Sequence, residues 1–291
     1  MSAPTSTIIV TGKNGQLGSE LLDIHMSYPA FKFVFLDRNE LDLAKPEAFE
    51  SIFKQYKPAF FINAGAYTGV DRAESEKELA MAVNGIAPGK IASLCNSYQT
   101  RLIHISTDYV FDGNGTSPYR ADQPTSPLNY YGETKLKGEQ AALAGSPSTV
   151  IIRTAWVYSA YGHNFVKTML RLMDERSSIN VVSDQVGAPT YARDLAVAIM
   201  DIVEQGASHT GIYHFSNEGK ISWYDFAMAI RDLAGLSCEV KAISTKDFPT
   251  PAKRPAYSVL DKSSLIRDYG IQPREWKTAL QECLSYLRRL A

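Results

Sequence analysis

Seven consecutive residues constrain this chain most: Gly12-Lys13-Asn14-Gly15-Gln16-Leu17-Gly18, a G-x-x-G-x-x-G run. They follow the short β-branched run Ile8–Val10 and precede an amphipathic stretch, so they sit where a strand turns into a helix. Glycine there permits a tight turn and a close backbone approach. The free N–H groups of a helix start add partial positive charge, and together these suit a pyrophosphate. An ordinary Gly-rich turn can have the same spelling, so the context has to decide. The next strand, Phe33–Leu36, runs into Asp37 and Arg38. An acidic residue roughly 20 positions past the last glycine is placed for an adenosine ribose hydroxyl, whereas Arg38 could face a 2′-phosphate. Asp37 and Arg38 point to opposite cofactors, and NADH and NADPH both stay open.

Short apolar runs at Ile8–Val10, Phe33–Leu36, Phe60–Asn63, Arg101–Ser106 and Val150–Thr154 alternate with helical stretches at Gly15–Ser27, Pro46–Tyr56, Glu74–Gln99 and Tyr130–Ala144. That rhythm predicts an α/β fold, a Rossmann doubly wound parallel sheet, over residues 1–155. After Trp156 the rhythm changes. Helices are expected over Asn164–Glu175, Ala192–Glu204, Trp223–Ala234 and Glu275–Leu290, with strands at Asn180–Val182 and Gly211–Ser216. Pro249, Pro251 and Pro255 make Asp247–Tyr257 an extended loop. The expectation for 156–291 is a smaller mixed domain, mainly substrate-binding, with some segments returning to the first domain.

Bulk properties exclude other classes. With 45% hydrophobic and 21% charged residues the chain reads as globular, and a net charge of -1 offers no basic surplus for nucleic acid. No apolar run reaches the roughly 18–20 residues of a membrane span. Met1–Thr7 reads as a disordered lead-in and not as a secretory signal. Cys95, Cys238 and Cys283 are widely spread and odd in number, which fits a reducing cytoplasm. The five histidines (His25, His104, His163, His209, His214) form no ligand-spaced pair, so no metal is expected.

Tyr131-Gly132-Glu133-Thr134-Lys135 puts a tyrosine and a lysine on one helix face. A tyrosine near its usual pKa of about 10 exchanges protons poorly at neutral pH. A neighbouring ammonium is expected to lower that value and make Tyr131 a general acid. Ser106-Thr107-Asp108-Tyr109 follows the strand Arg101–Ile105, at the carboxyl end where open α/β sheets bind ligands. There Thr107 could hydrogen-bond a substrate carbonyl, or simply cap a turn.

In this order the motifs resemble the extended short-chain dehydrogenase/reductases, and within them the dTDP-4-dehydrorhamnose reductase family. The matching segments include Gly12–Gly18, Asn63–Thr68, Val70–Glu74, Ser106–Gly113, Tyr131–Lys135, Arg153–Tyr158, Asn164–Val166, Asp184–Thr190 and Gly211–His214. The resemblance implies hydride transfer from NADPH or NADH to C4 of dTDP-4-dehydro-L-rhamnose. Tyr131 would be the proton donor, Lys135 would tune it while holding the nicotinamide ribose, and Thr107 would polarise the carbonyl. For the cofactor it implies Gly12, Gly15, Gln16, Leu17 and Gly18 at the pyrophosphate, Asp37 and Arg38 at the adenosine ribose, and Asp42 and Leu43 beside the adenine. Ala64, Ala66, Tyr67 and Thr68 would line the cofactor after the third strand.

For the dTDP-sugar it implies Thr107, Asp108, Tyr109 and Trp156, although a tryptophan after an apolar strand reads as core from sequence alone. Arg254, in the proline-rich loop, suits the substrate diphosphate because a guanidinium pairs well with a doubly charged anion. The family also admits a homodimer. Some members are described as magnesium-linked dimers; Glu20 could supply one ligand, but Thr190–Asp194 shows no second glutamate.

Two other readings stay open. A non-catalytic, NADP-binding regulatory subunit resembling the methionine adenosyltransferase β-subunit could share the scaffold. A nucleotide-sugar epimerase or dehydratase could share the motifs, although Tyr109 stands where a dehydratase would carry a second carboxylate.

Overall fold

The computed structural model describes residues 6–290. Most of the expected lead-in lies outside them, but Ser6 and Thr7 already belong to the first strand. That strand, β1 (Ser6–Thr11), pairs in parallel with β2 (Phe31–Leu36) on one side and β3 (Phe60–Asn63) on the other. Beyond β3 come β4 (Arg101–Thr107) and β5 (Thr149–Thr154), and a sixth parallel strand, Gly211–Phe215, closes the edge on β5. The order β2-β1-β3-β4-β5 reverses direction between β1 and β3. A reversal of that kind opens a crevice at the carboxyl ends of the strands, where doubly wound sheets bind ligands.

Helices cover both faces of the sheet, which explains why its central strands read as unbroken apolar runs. On one face Leu17 and Leu21 meet Leu195, Ile199 and Val203 against Ile8, Val10 and Ile62. On the other, Phe49, Phe53, Ile91, Cys95 and Ala142 bury Ile9, Phe61 and Leu102. All three cysteines are buried and free. A separate core gathers Tyr158, Val166, Met169, Phe226, Ile230, Leu280 and Cys283. Beside it Ser178–Val182 pairs in parallel with Glu239–Ile243, a strand the sequence pattern did not signal. Among the described residues no helix is long and apolar enough to cross a membrane.

One expected element takes another form. Glu74–Gln99 is not one helix but a short turn at Arg72–Glu74, a turn of helix at Lys77–Ala80, a π-helical segment Met81–Ile86, and the helix Ala87–Ser97. The wide segment holds the buried Asn84, whose amide bonds both the N–H and the C=O of Tyr67 at 2.9 Å. A π-bulge is commonly found where a helix serves a site, and here it anchors the loop after β3.

Candidate active site

The carboxyl ends of β1, β3, β4 and β5 open into a cleft of about 830 Å³. At one end lies the glycine loop. Gly12 has φ +74°, and a Cβ there would stand 2.8 Å from Gly65 N, so only glycine lets the turns after β1 and β3 touch. The helix Gln16–Ile24 starts from Gly15 with no side-chain cap and no acidic residue in its first turn, leaving N–H groups free for an anion. Beneath the loop Thr11 Oγ1 donates to Asn63 Oδ1 at 2.8 Å and accepts from Gly65 N at 3.2 Å, and Asn63 Nδ2 meets His104 Nδ1 at 3.1 Å. Three strand ends are thereby fixed in register. The glycines, the uncapped helix start and the cleft's size fit a dinucleotide.

Gly12, Gly15, Gln16, Leu17, Asp37, Arg38, Asp42, Leu43, Ala64, Ala66, Tyr67 and Thr68 all line the cleft. Gly18 does not; a Cβ there would fall 2.1 Å from Gly12 O, so it serves close packing of the helix on its own loop. Asp37 accepts N–H bonds from Asn39 at 2.8 Å and Glu40 at 3.2 Å and lies 3.4 Å from Lys13 Nζ. Arg38 is 73% exposed, with its nearest carboxylate, Asp42, 3.8 Å away.

On the opposite wall Thr107, Asp108, Tyr109, Tyr131, Lys135 and Trp156 come together. Asn129 caps the helix Tyr130–Gly145 by accepting from Gly132 N at 2.9 Å. Gly132 packs so closely on the turn Asp108–Val110 that a Cβ would stand 2.2 Å from Tyr109 O. That contact sets Tyr131 beside Thr107, and the Tyr109 ring meets Tyr131 edge-on at 5.6 Å. Thr107 Oγ1 donates to Asp108 Oδ1 at 2.9 Å and accepts from Tyr109 N at 3.2 Å. Asp108 is buried, and burial pushes its carboxyl up to about 6 against the opposing pull of the Thr107 and Ser258 hydroxyls.

The electrostatics run opposite to the expectation for the pair. Burial, helped by the Asp108 charge, pushes the Tyr131 phenol up to about 12, with the Thr107 hydroxyl pulling weakly the other way. Lys135 Nζ donates 2.6 Å to Ile105 O, and burial brings its ammonium down to about 8. Desolvation dominates both groups, so Tyr131 keeps its proton and Lys135 is the group poised near neutrality.

Trp156 adopts φ +49° and stacks on Trp223 at 3.6 Å and 12°, both on the cleft wall. Trp223 begins the helix Trp223–Ala234 behind the capping residue Ser222, and nothing in the sequence pattern pointed to its return to the site. Arg254 is not on the wall. It makes a two-pronged ion pair with Asp71, at 2.9 and 2.8 Å, and donates to Ala252 O. Its guanidinium is therefore already paired with a carboxylate of the loop after β3.

Glu20 is buried, with Ser159 Oγ donating to Oε1 at 2.6 Å and Arg193 lying 3.8 Å from Oε2. Arg193 also pairs with Asp23. A guanidinium already supplies the positive charge in this donor set, so it does not fit a divalent ion.

The family model described as RmlD substrate binding domain matches residues 6–289. A dTDP-4-dehydrorhamnose reductase of Aggregatibacter actinomycetemcomitans is 41% identical over 96% of this chain and 98% of its own. The spore coat polysaccharide biosynthesis protein SpsK of Bacillus subtilis is 40% identical over 95% and 96% of the two chains. The crystal structure of dTDP-4-dehydrorhamnose reductase from Bacillus anthracis in complex with NADP superposes with a TM-score of 0.93 at 36% identity, covering 97% of this chain and 99% of that one.

Proposed function

The chain belongs to the RmlD substrate binding domain family, and from that premise we propose that it reduces the C4 ketone of dTDP-4-dehydro-L-rhamnose to dTDP-L-rhamnose with NADPH or NADH. The observation that carries the reading is the convergence of Thr107, Tyr131 and Lys135 on the wall of a cleft that begins at the glycine loop. A reduced nicotinamide bound there supplies the hydride. Tyr131 delivers the proton to the ketone oxygen, and its hydroxyl is fully protonated at neutral pH. Thr107 polarises the same oxygen, with Asp108 fixing its hydroxyl. Lys135, anchored on Ile105 O, would hold the nicotinamide ribose. Trp156 offers the sugar an aromatic face stiffened by Trp223. The same reading divides the chain near residue 155 into a mainly cofactor-binding part and a mainly substrate-binding part, with Ala192–Glu204 and Gly211–Phe215 returning to the first sheet, and it favours a cytoplasmic location.

The test is absorbance loss of NADPH and NADH on adding the dTDP-keto sugar to purified protein. Stoichiometric oxidation with dTDP-L-rhamnose as product supports the reading. Cofactor binding without oxidation would hand the chain to the regulatory-subunit alternative.

A further inference from the structure

Behind the reacting groups, one turn past Lys135 on the same helix face, lies a charge that the proposed mechanism does not use. Glu139 and Arg153 form an ion pair with each side chain only 2% exposed. Arg153 Nη2 reaches Glu139 Oε2 at 2.7 Å and Nε reaches Oε1 at 2.9 Å. A third donor, Ser106 Oγ, bonds Glu139 Oε1 at 2.5 Å. Arg153 lies over the Phe111 ring at 5.0 Å and donates Nη1 to Ala121 O. Burying two charges is costly unless geometry and extra hydrogen bonds offset the lost hydration, and this pair has both.

Its placement is specific. Ser106 adjoins Thr107 at the end of β4, Arg153 adjoins Thr154 at the end of β5, and Glu139 sits at i+4 from Lys135 and i+8 from Tyr131. The two elements that carry reacting groups, β4 and the helix, are pinned together with β5 at one carboxylate. We propose that Glu139 and Arg153 are positioning residues for the reduction: the buried pair keeps the Lys135 ammonium charged and fixes Thr107 against Tyr131.

The charges around Lys135 leave Glu139 in that role. From β4 the neutral His104 faces it, and from the turn Asp108–Val110 the Asp108 carboxyl acts on Tyr131. At the helix start Glu74 accepts from Tyr130 N and Lys77 lies over the Tyr130 ring, while Glu78 and Lys90 on the packed helices are exposed. Burial lowers the Lys135 ammonium and Glu139 raises it. Arg153 holds both Glu139 oxygens, so removing the carboxylate alone leaves a buried, uncompensated guanidinium behind Lys135.

The inference rests on Lys135 holding the nicotinamide ribose, so its test uses NADPH affinity, read by cofactor fluorescence against pH, together with kcat/KM. Both should fall as pH rises through about 8 in the wild type. Glu139→Gln keeps one acceptor oxygen for Ser106 Oγ and Arg153 Nε but removes the charge and the acceptor of Arg153 Nη2, and should move this alkaline limb down by about one pH unit or more. Glu139→Gln with Arg153→Met, which removes both charges, should bring the limb back toward the wild-type position. Glu139→Asp should leave it in place, and decides the matter if the Gln variant does not fold. Ser106→Ala should lower kcat at an unmoved limb. An unmoved limb in folded Glu139→Gln, or a shifted limb in Glu139→Asp, would overturn the proposal. Because NADPH binding needs no sugar, failure to reduce the dTDP-sugar would sink the proposed reaction while the binding limb still decides this inference.

Discussion

Replacing Gly12 with alanine should cost the protein more than local strain, and the excess should appear in cofactor binding. Gly12 has φ +74°, a conformation that costs an L-residue about 1–2 kcal/mol. Its new Cβ would also stand 2.8 Å from Gly65 N, 2.9 Å from Gly65 Cα and 3.0 Å from Ala64 C, all backbone atoms that cannot swing aside. Forcing a methyl into such a contact adds about 1–3 kcal/mol. Gly206 supplies the control. It has φ +69°, nothing lies within 4 Å of its Cβ position, and it does not line the cleft.

Gly206→Ala should therefore lose only the strain, with an unchanged NADPH Kd. Gly12→Ala should lose about 2–5 kcal/mol in all and raise the NADPH Kd at least about tenfold, since each 1.4 kcal/mol of binding is a factor of ten. Denaturant unfolding and cofactor fluorescence titration read the two quantities. If both variants show the same stability loss and both bind NADPH like the wild type, the contact between the loops does not shape the phosphate site and the reasoning fails.

Tyr131→Phe should lower kcat by about 10²–10⁴-fold with little change in NADPH Kd, because it removes the donated proton and almost no surface; wild-type turnover in a stopped-flow assay would reject Tyr131 as the acid. Arg38→Ala should weaken NADPH several-fold and leave NADH unchanged, since the exposed guanidinium suits the 2′-phosphate; equal effects on both cofactors would count against that placement. Asp108 titrates in the folded protein at about 6, above its ordinary value near 4. Its ionisation therefore penalises folding fully above pH 6 and not at all below about pH 4. Asp108→Asn should raise the Tm at pH 7.5, give little gain near pH 4, and lower kcat/KM; a Tm that falls equally at both pH values would contradict the burial argument.

The parallel sheet was legible because runs such as Ile8–Val10 and Phe60–Asn63 are apolar on both faces and lead into glycine-bearing loops, and the catalytic pair because Tyr131 and Lys135 share a helix face at a fixed spacing. The rest depends on contacts distant in sequence. Trp223 follows a helix cap far from Trp156, and only the fold stacks them. Arg254 looked free for a diphosphate because nothing local reveals its ion pair with Asp71. The direction of the Tyr131 shift failed for a physical reason. Spacing displays the lysine but not the burial and the Asp108 charge that raise the phenol, nor the Ile105 carbonyl that holds Nζ. Asn84 interrupted a pattern that otherwise read as one long helix, and its tie to Tyr67 gives the interruption a purpose.

The central claim is hydride delivery to C4 of a dTDP-linked keto sugar, and the most direct measurement follows the transferred atom. NADPH carrying deuterium at the transferable C4 position is incubated with dTDP-4-dehydro-L-rhamnose and the protein, and the product is read by mass spectrometry and proton NMR. The account predicts one deuterium in each dTDP-L-rhamnose formed, located at C4 of the sugar, with one cofactor consumed per product. A product without deuterium, or an epimerised or dehydrated sugar made without cofactor loss, would contradict it.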